Sequence, residues 1–307
     1  MLKAFEGGNI LKTKKLEGVI SPIPTPFTPE GEVAEEALIS NLEKWSAFPL
    51  AGHIVLGSNG EFVHLREEEK RRVLAAARQA IPPEKWFIAG AGCQSTMETL
   101  ALAEEAASLG ADAALVLNPS YYKAQMSDAA LARHYLQLAE KSPIPIIIYN
   151  LPKSTGIDLP ARLVAELSSH PNIIGIKDTS GNLIKMGEMI RLADPSFSIL
   201  AGSASFFFPA LALGVQGGVL ALANVAPAQS VEIYRLFKEG EIEQGRKLHL
   251  QMLPVNAAIT TRWGIGGLKA ALDMLGFYGG PPRAPLPSLN EEQKEELRAI
   301  LRENGLL

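Results

Sequence analysis

The chain has little of what usually marks a secreted or targeted protein. Its 307 residues contain a single cysteine, Cys93, so no disulfide can form within the chain. One isolated thiol fits a reducing compartment, and we predict a cytoplasmic protein. Residues 1–17 hold several lysines but no apolar core of the signal-peptide kind. We interpret them as an N-terminal extension.

Long runs of one charge or of apolar residues are also missing. The formal net charge is -4, and both signs are scattered along the sequence. Nucleic-acid-binding proteins usually carry a basic patch or stripe, so we expect no nucleic-acid partner. No apolar run reaches the roughly 18 residues that span a bilayer, so we expect no membrane partner. The five histidines are dispersed without metal-ligand spacing, and we expect no metal.

What the sequence does contain is a regular alternation of short apolar runs with amphipathic segments. The runs are near-continuously apolar and rich in β-branched residues, which is typical of parallel strands covered on both faces. The predicted strands are Gly18–Ile23, His53–Leu56, Trp86–Ala89, Ala113–Leu117, Ile144–Tyr149, Ile173–Lys177, Ser198–Ala201 and Gly218–Leu222.

Several of the intervening segments have clear helix boundaries. Ser95 and Ser127 are predicted N-caps, because a serine side chain can accept a hydrogen bond from the first turn of a helix. Gly110 and Pro143 are expected to end the two helices that these serines begin. The predicted helices are Glu67–Ala80, Thr96–Leu109, Asp128–Lys141 and Pro160–Ser168.

Eight strand–helix units predict an α/β protein with a (β/α)8 TIM barrel, a fold of about 250 residues. A doubly wound open sheet has the same local pattern, but the strand count favours the barrel. Further helices are predicted near residues 241–261, 267–275 and 290–302, joined through a proline-rich stretch at 279–287. We therefore divide the chain into the extension 1–17, a barrel over 18–235 and a C-terminal helical appendage over 236–307, packed on the barrel.

The active site of such a barrel lies at the C-terminal ends of its strands, where Lys177 and Tyr149 stand out. Lys177 directly follows a buried apolar run. Desolvation disfavours an ammonium ion, and a neutral amine can attack a ketone carbon. The alternative is a lysine that caps the strand and pairs with Asp178. Tyr149 could relay protons, although its spacing alone favours a core tyrosine with one hydrogen-bond partner.

The segment Gly57-Ser58-Asn59-Gly60-Glu61 forms a second candidate feature, after the second strand. Its glycines permit close backbone approach, and backbone N–H groups near a helix N-terminus can bind a carboxylate. An ordinary βα turn uses the same residue types. Two smaller interpretations concern Cys93, expected to be a buried thiol, and Phe206-Phe207-Phe208, expected to pack in the core or at a subunit contact.

Five motifs follow one another along the chain: Gly57–Glu61, Tyr121-Tyr122, Tyr149-Asn150-Leu151-Pro152, Gly175-Ile176-Lys177-Asp178 and Gly217-Gly218-Val219. Taken together, they resemble the motifs of the dihydrodipicolinate synthase / N-acetylneuraminate lyase family. The likeness runs from about Gly18 to the C-terminus. It implies a (β/α)8 barrel, a lyase that forms a lysine Schiff base with a 2-oxo acid such as pyruvate, and no cofactor. It also implies a homo-oligomer, a tetramer built as a dimer of dimers.

The resemblance also implies roles for particular residues. Lys177 matches the lysine that forms the imine, and Tyr149 matches the tyrosine that relays protons. Ser58 and Asn59 match the pair that holds the pyruvate carboxylate. Tyr122 matches a tyrosine that enters the neighbouring subunit's site. The remaining substrate-binding residues by similarity are Thr179, Gly202, Ser154 and Leu220, the last through its backbone.

Departures from the family pattern bear on the substrate. Ser154 stands where dihydrodipicolinate synthases carry an arginine for the second substrate, with Lys153 beside it. Ser58-Asn59, residues 256–260 and residues 277–281 look most like the 4-hydroxy-2-oxoglutarate aldolases of the family. We therefore predict retro-aldol cleavage of 4-hydroxy-2-oxoglutarate to pyruvate and glyoxylate. The alternative is condensation of pyruvate with aspartate semialdehyde.

Two hypotheses from other functional classes make different predictions about the sequence. A non-catalytic barrel that senses a 2-oxo acid would be expected to lack the lysine or the tyrosine, and both are present. An NAD-dependent enzyme on an open sheet would need a complete glycine fingerprint. Gly90-Ala91-Gly92 supplies only part of one.

Overall fold

All eight predicted strands form, and they pair in parallel and in chain order. The computed structural model describes residues 14–307. β1 pairs with β8 as well as with β2, so the sheet closes into a barrel. Closure confirms the TIM barrel and excludes the open sheet. The strands are β1 Gly18–Pro22, β2 Gly52–Val55, β3 Trp86–Gly90, β4 Ala113–Leu117, β5 Ile146–Asn150, β6 Ile173–Asp178, β7 Ser198–Ala201 and β8 Gly217–Val219.

Helices follow the strands around the outside of the barrel. The predicted caps are confirmed, since Ser95 accepts from the Glu98 N–H at 3.1 Å and Ser127 from the Ala130 N–H at 3.3 Å. The helices are α1 Glu35–Ser46, α2 Glu67–Ala80, α3 Thr96–Ser108, α4 Asp128–Lys141, α5 Pro152–Thr155, α6 Ala161–Ser168, α7 Leu183–Leu192, α8 Phe207–Leu213, α9 Pro227–Lys238, α10 Ile242–Ala257, α11 Gly264–Met274 and α12 Glu291–Glu303.

Strand ends differ from the predicted ones where local hydrogen bonding competes with the sheet. β8 stops at Val219, because the Ala223 N–H donates to the Leu220 carbonyl and begins a 3₁₀ turn over Ala221–Asn224. β5 starts at Ile146, two residues after the predicted start at Ile144. Pro145 has no N–H to give to a neighbouring strand.

The N-terminal end of the barrel is closed by residues that were predicted to be part of the extension. Leu16 is 5% exposed and joins the apolar residues inside the barrel. The Trp86 indole N–H donates to the Lys15 carbonyl at 3.0 Å, and Lys14 pairs with Asp112 at 3.0 Å. Residues 1–13 of the predicted extension lie outside the described residues.

The C-terminal helices lie against the barrel. α9 runs through residue 235, where the barrel was predicted to end, and α10 packs on α9 and on the 3₁₀ turn after β7. Phe207 and Phe208 are buried, and the Phe208 ring contacts the rings of Phe237 and His249. The core interpretation of the phenylalanine run is therefore confirmed for these two residues. Within residues 14–307 no helix is long and apolar enough to cross a membrane.

Candidate active site

Lys177 and Tyr149 lie side by side at the C-terminal end of the barrel. They are paired in the register of β5 and β6, and their exposed fractions are 4% and 5%. The Lys177 Nζ lies 4.0 Å from the centre of the Tyr149 ring. The sheet therefore holds the amine and the phenol together inside the mouth of the barrel.

Asp178 does not pair with Lys177, so the strand-capping interpretation is wrong. Successive residues of a strand point to opposite faces, and Asp178 is turned away from the barrel interior. Its carboxylate accepts from the Asn150 amide at 3.0 Å and from the Ser180 N–H at 2.8 Å, and it lies 3.6 Å from the Lys185 ammonium. No carboxylate in the described part of the chain forms an ion pair with Lys177.

The loop after β2 reaches Tyr149 through Ser58. The Ser58 Oγ lies 3.3 Å from the Tyr149 hydroxyl, and either group can be the donor. Ser58 begins a short 3₁₀ turn that ends at Gly60. The Tyr149 hydroxyl therefore has a partner that can pass a proton onward.

Asn59, the neighbour of Ser58, is held by the wall of the barrel. Its Nδ2 donates to the Pro22 carbonyl at 3.1 Å, and the Asn224 Nδ2 donates to the same oxygen at 3.0 Å. One N–H direction of the Asn59 amide is thus occupied. The contact fixes the loop against the end of β1, a function that the sequence pattern did not suggest.

Thr179 and Gly202 face each other at the ends of β6 and β7. The Thr179 Oγ1 is buried and has no hydrogen-bond partner among residues 14–307. A Cβ added at Gly202 would stand 2.7 Å from that oxygen, so a side chain at 202 would cover it. The hydroxyl therefore has hydrogen-bonding capacity that no group of the described residues uses.

Leu220, the residue after β8, is fully buried. Its N–H donates to the Ile20 carbonyl at 3.0 Å, and its carbonyl accepts from the Ala223 N–H at 3.0 Å. The carbonyl has a second lone pair, because each backbone oxygen can accept two hydrogen bonds.

A cavity of about 320 Å³ opens beside Ser58. Ser154 of α5 lies on its wall, and so does Asn118, which is 1% exposed. The Asn118 Oδ1 has no hydrogen-bond partner among the described residues. Because buried polar atoms are normally hydrogen-bonded, Asn118 is a candidate ligand-binding residue. The sequence signal for it was only its position at the end of β4.

Two lysines lie near α5. Lys153 is an exposed residue of the helix itself. Lys123 belongs to the loop after β4, and its side chain lies across Gly156, where an added Cβ would stand 2.6 Å from the Lys123 Nζ. Gly156 is the C-cap of α5 and has a φ of 67°. The sequence did not predict that Lys123 lies beside α5, since no short-range pattern connects the two.

Tyr121 and Tyr122 lie at the surface of this chain. They are 80% and 68% exposed, and their rings make an edge-to-face contact at 5.1 Å. Large exposed aromatic groups often mark an interaction surface. Tyr122 is not among the residues that line the cavity beside Ser58.

Cys93 lies at the edge of the same cavity and is half-buried, not fully buried as predicted. Burial raises the pKa of its thiol, which disfavours the reactive thiolate. Within residues 14–307 no cluster of three or more histidine, cysteine, aspartate or glutamate side chains could hold a metal ion.

Comparison with known proteins finds relatives over nearly the whole chain. The Dihydrodipicolinate synthetase family matches residues 15–304. A 4-hydroxy-tetrahydrodipicolinate synthase of Methanothrix thermoacetophila is 37% identical over 287 residues, which are 92% of this chain and 95% of that protein. A probable mitochondrial 4-hydroxy-2-oxoglutarate aldolase of Emericella nidulans is 38% identical over 280 residues, 88% of this chain and 90% of that protein.

Solved structures give the same result. The crystal structure of a chloride-inhibited dihydrodipicolinate synthase of Acinetobacter baumannii, complexed with pyruvate, has a TM-score of 0.91 to this chain. The two are 29% identical, and the match covers 95% of this chain and 100% of that one.

Proposed function

Because the chain belongs to the dihydrodipicolinate synthetase family, whose members are lyases of the class I aldolase type, we propose that Lys177 forms the Schiff base with a 2-oxo acid. The observation that carries this proposal is the position of the Lys177 Nζ. It is buried in the barrel mouth, 4.0 Å from the Tyr149 ring, without a carboxylate partner among the described residues. A lysine in such a site can act as a nucleophile.

The proposed reaction is retro-aldol cleavage of 4-hydroxy-2-oxoglutarate. The Lys177 amine attacks the C2 ketone, and loss of water gives a protonated imine. Tyr149 removes the proton of the C4 hydroxyl while the C3–C4 bond breaks, so glyoxylate leaves and the bonding pair moves into an enamine. Protonation of C3 and addition of water to the resulting imine release pyruvate and the free amine. The imine takes up the electron pair, so this sequence calls for no cofactor.

Proton transfer in this scheme uses the Ser58–Tyr149 contact. The Tyr149 hydroxyl can pass the C4 proton to the Ser58 Oγ at 3.3 Å, and a positioned relay group typically contributes about 10² to 10⁴ in rate. We propose that Ser58 and Asn59 also hold the C1 carboxylate. The free Thr179 hydroxyl beside Gly202 would bind the far end of the substrate, and the Leu220 carbonyl would orient the imine.

The choice of substrate depends on what binds the second carboxylate. Ser154 offers a hydroxyl where a guanidinium would make two charged hydrogen bonds, and the exchange is not conservative. We propose that Lys123, which lies across the end of α5, supplies the cation instead of Lys153. A lysine is a point charge, so it can pair with this carboxylate without the bidentate geometry of a guanidinium.

The second candidate is a 4-hydroxy-tetrahydrodipicolinate synthase. The relative in Methanothrix thermoacetophila carries that name. Both reactions begin with the same imine and differ in the aldehyde, so the site around Lys177 supports either of them. Ser154 favours the aldolase.

We further propose a cytoplasmic homotetramer, a dimer of dimers in which Tyr122 enters the partner's site. The exposure of Tyr121 and Tyr122 supports a subunit contact at this surface. The single cysteine supports the compartment.

The test is pyruvate release from 4-hydroxy-2-oxoglutarate, measured beside condensation of pyruvate with aspartate semialdehyde on one preparation. We expect fast release and negligible condensation. Condensation as the faster reaction would contradict the aldolase proposal and support the synthase.

A further inference from the structure

Two residues with left-handed backbone bracket the loop that contains Ser58 and Asn59. Leu56 has a φ of 60° and Glu61 a φ of 53°, and they are the only non-glycine residues of 14–307 with positive φ. Such a conformation is strained for residues other than glycine, and it persists only where the surroundings impose it. Something must therefore hold each end of this loop.

The contacts of the Glu61 side chain identify what holds the second end. Glu61 is 2% exposed, and its Oε1 lies 2.6 Å from the ammonium of Lys269, which is 1% exposed. Its Oε2 accepts from the Arg283 backbone N–H at 2.8 Å. The C-terminal helical region thus contacts both carboxylate oxygens, with an ion pair from Lys269 of α11 and a hydrogen bond from Arg283 in the segment that follows α11.

Lys269 and Arg283 are themselves fixed on both sides. The Lys269 Nζ donates to the Pro281 carbonyl at 3.0 Å. The Arg283 guanidinium makes two 2.7 Å hydrogen bonds to Glu69 of α2, and both cations lie over the Phe27 ring, at 4.2 Å and 4.3 Å. The Glu61 carboxylate is therefore attached to a rigid framework.

The loop transmits this anchoring to Ser58 through its backbone. The Glu61 N–H donates to the Ser58 carbonyl at 3.2 Å, and the Gly60 N–H donates to the Gly57 carbonyl at 2.9 Å. The Thr25 hydroxyl holds the Gly60 carbonyl at 2.7 Å. A shift of Glu61 would thus move the Ser58 Oγ relative to the Tyr149 hydroxyl.

A purely stabilising role explains this arrangement poorly. The desolvation of two charges offsets most of their attraction, so apolar side chains of similar volume are often as stabilising as a buried ion pair. A fixed geometry, by contrast, needs a directional contact, and the hydrogen bond from the Arg283 N–H to the Glu61 Oε2 is one. Lys269 and Arg283 both lie more than 200 positions beyond the loop.

We propose that Glu61 is a positioning residue, and that its ion pair with Lys269 sets the loop geometry with which Ser58 binds the 2-oxo acid carboxylate. The inference rests on the proposed function of Ser58 and Lys177. It assigns the C-terminal region a part in substrate binding. Misplacement of a binding group by about 1 Å can cost as much as 10²-fold in rate.

The experiment measures how much pyruvate is trapped on Lys177 by borohydride at a range of pyruvate concentrations. It compares the wild type with a test variant and a control variant. The test variant is Glu61→Gln/Lys269→Met, which removes both charges and leaves no unpaired buried ion. The control is Asp112→Asn, which removes the carboxylate partner of Lys14 at the N-terminal end of the barrel and leaves the Glu61–Lys269 pair and the Arg283 contacts in place. Thermal unfolding is measured for each variant.

We expect the test variant to need roughly 10-fold more pyruvate or more for half-maximal trapping, with the maximal extent retained because Lys177 is intact. Asp112→Asn should lower the melting temperature and leave the half-saturating concentration unchanged. Half-saturation of the test variant at the wild-type concentration would overturn the inference, as would an equal shift in Asp112→Asn.

If the double variant does not fold, Glu61→Asp tests the same inference. It keeps the charge and shortens the side chain, so it should fold and still raise the half-saturating concentration, and a wild-type value would overturn the inference. Absence of trapping in the wild type is a different result, because it contradicts the proposed function itself.

Discussion

The Ser58 Oγ and the Tyr149 hydroxyl lie 3.3 Å apart although 91 positions separate the two residues in the chain. One belongs to the loop after β2 and the other to the end of β5. A βα barrel brings such positions together because all its strands end at the same rim. The contact gives the phenol a second group to exchange protons with.

Replacement of Tyr149 by phenylalanine should lower turnover of 4-hydroxy-2-oxoglutarate by about 10² to 10⁴. Pyruvate trapping should be at least partly retained, since the amine of Lys177 remains. Steady-state kinetics and mass spectrometry measure the two quantities. Tyr135→Phe is the matched control, because Tyr135 is fully buried and its hydroxyl only donates to the Val116 carbonyl. Equal turnover in the wild type and Tyr149→Phe would mean that Tyr149 is a core residue that takes no part in proton transfer.

Ser58→Ala should raise the concentration of pyruvate needed for trapping and lower turnover, because it removes both a carboxylate ligand and the relay partner of Tyr149. Ser95→Ala serves as its control. Loss of that N-cap should cost about 1 kcal/mol of unfolding free energy and leave the kinetics unchanged. Wild-type kinetics in Ser58→Ala would show that the 3.3 Å contact is structural only.

Lys123→Met should raise KM for 4-hydroxy-2-oxoglutarate and leave pyruvate trapping unchanged, because the lysine is proposed to bind only the carboxylate that leaves with glyoxylate. Lys153→Met should have little effect. Initial-rate measurements on both variants separate the two lysines. A larger rise in KM for Lys153→Met than for Lys123→Met would mean that Lys153 of α5 binds this carboxylate.

Mixing the Tyr122→Phe and Lys177→Ala variants should raise turnover if Tyr122 serves the partner's site. A Tyr122→Phe subunit retains Lys177, and a Lys177→Ala subunit retains Tyr122, so a mixed dimer contains one complete site. We expect turnover above the sum of the two separate preparations after exchange of subunits. Turnover equal to that sum would contradict a shared site.

His53 should make the fold sensitive to mild acid. Burial lowers its pKa from 6.5 to about 3, with a smaller contribution from Lys85. The unfolded chain therefore binds a proton below pH 6.5 that the folded chain does not. The free energy of unfolding should therefore decrease as the pH is lowered from 6.5 to about 3, by at most about 1.4 kcal/mol for each pH unit.

Denaturant unfolding at pH 7 and pH 5 tests this for the wild type and His53→Gln. The Ser21 Oγ lies 2.7 Å from the His53 Nδ1, and glutamine can still bond to it. The variant should lose less stability between the two pH values than the wild type. Equal losses would mean that other groups dominate the pH dependence.

Local patterns predicted much of the fold. The bounds of α2, α4, β4 and β7 agree with those read from the sequence, because caps, prolines and continuous apolar runs act over a few residues. The selection of Lys177 and Tyr149 as site residues needed the barrel as well, since only the barrel places the active site at the C-terminal ends of its strands.

Long-range polar contacts could not be predicted in the same way. Asp178 stood beside Lys177 in the sequence as its obvious partner, yet the pleat of β6 turns it toward Lys185. Asn59 binds the Pro22 carbonyl, and Glu61 pairs with Lys269 from a distant helix. These contacts depend on the folded positions of separate elements, which no local pattern encodes.

The central claim is tested most directly by borohydride reduction in the presence of pyruvate, followed by mass spectrometry of the intact chain and of its peptides. The claim predicts one reduced pyruvate adduct in the wild type, located on the peptide that contains Lys177, and none in Lys177→Ala. An adduct of the same extent in Lys177→Ala would contradict it.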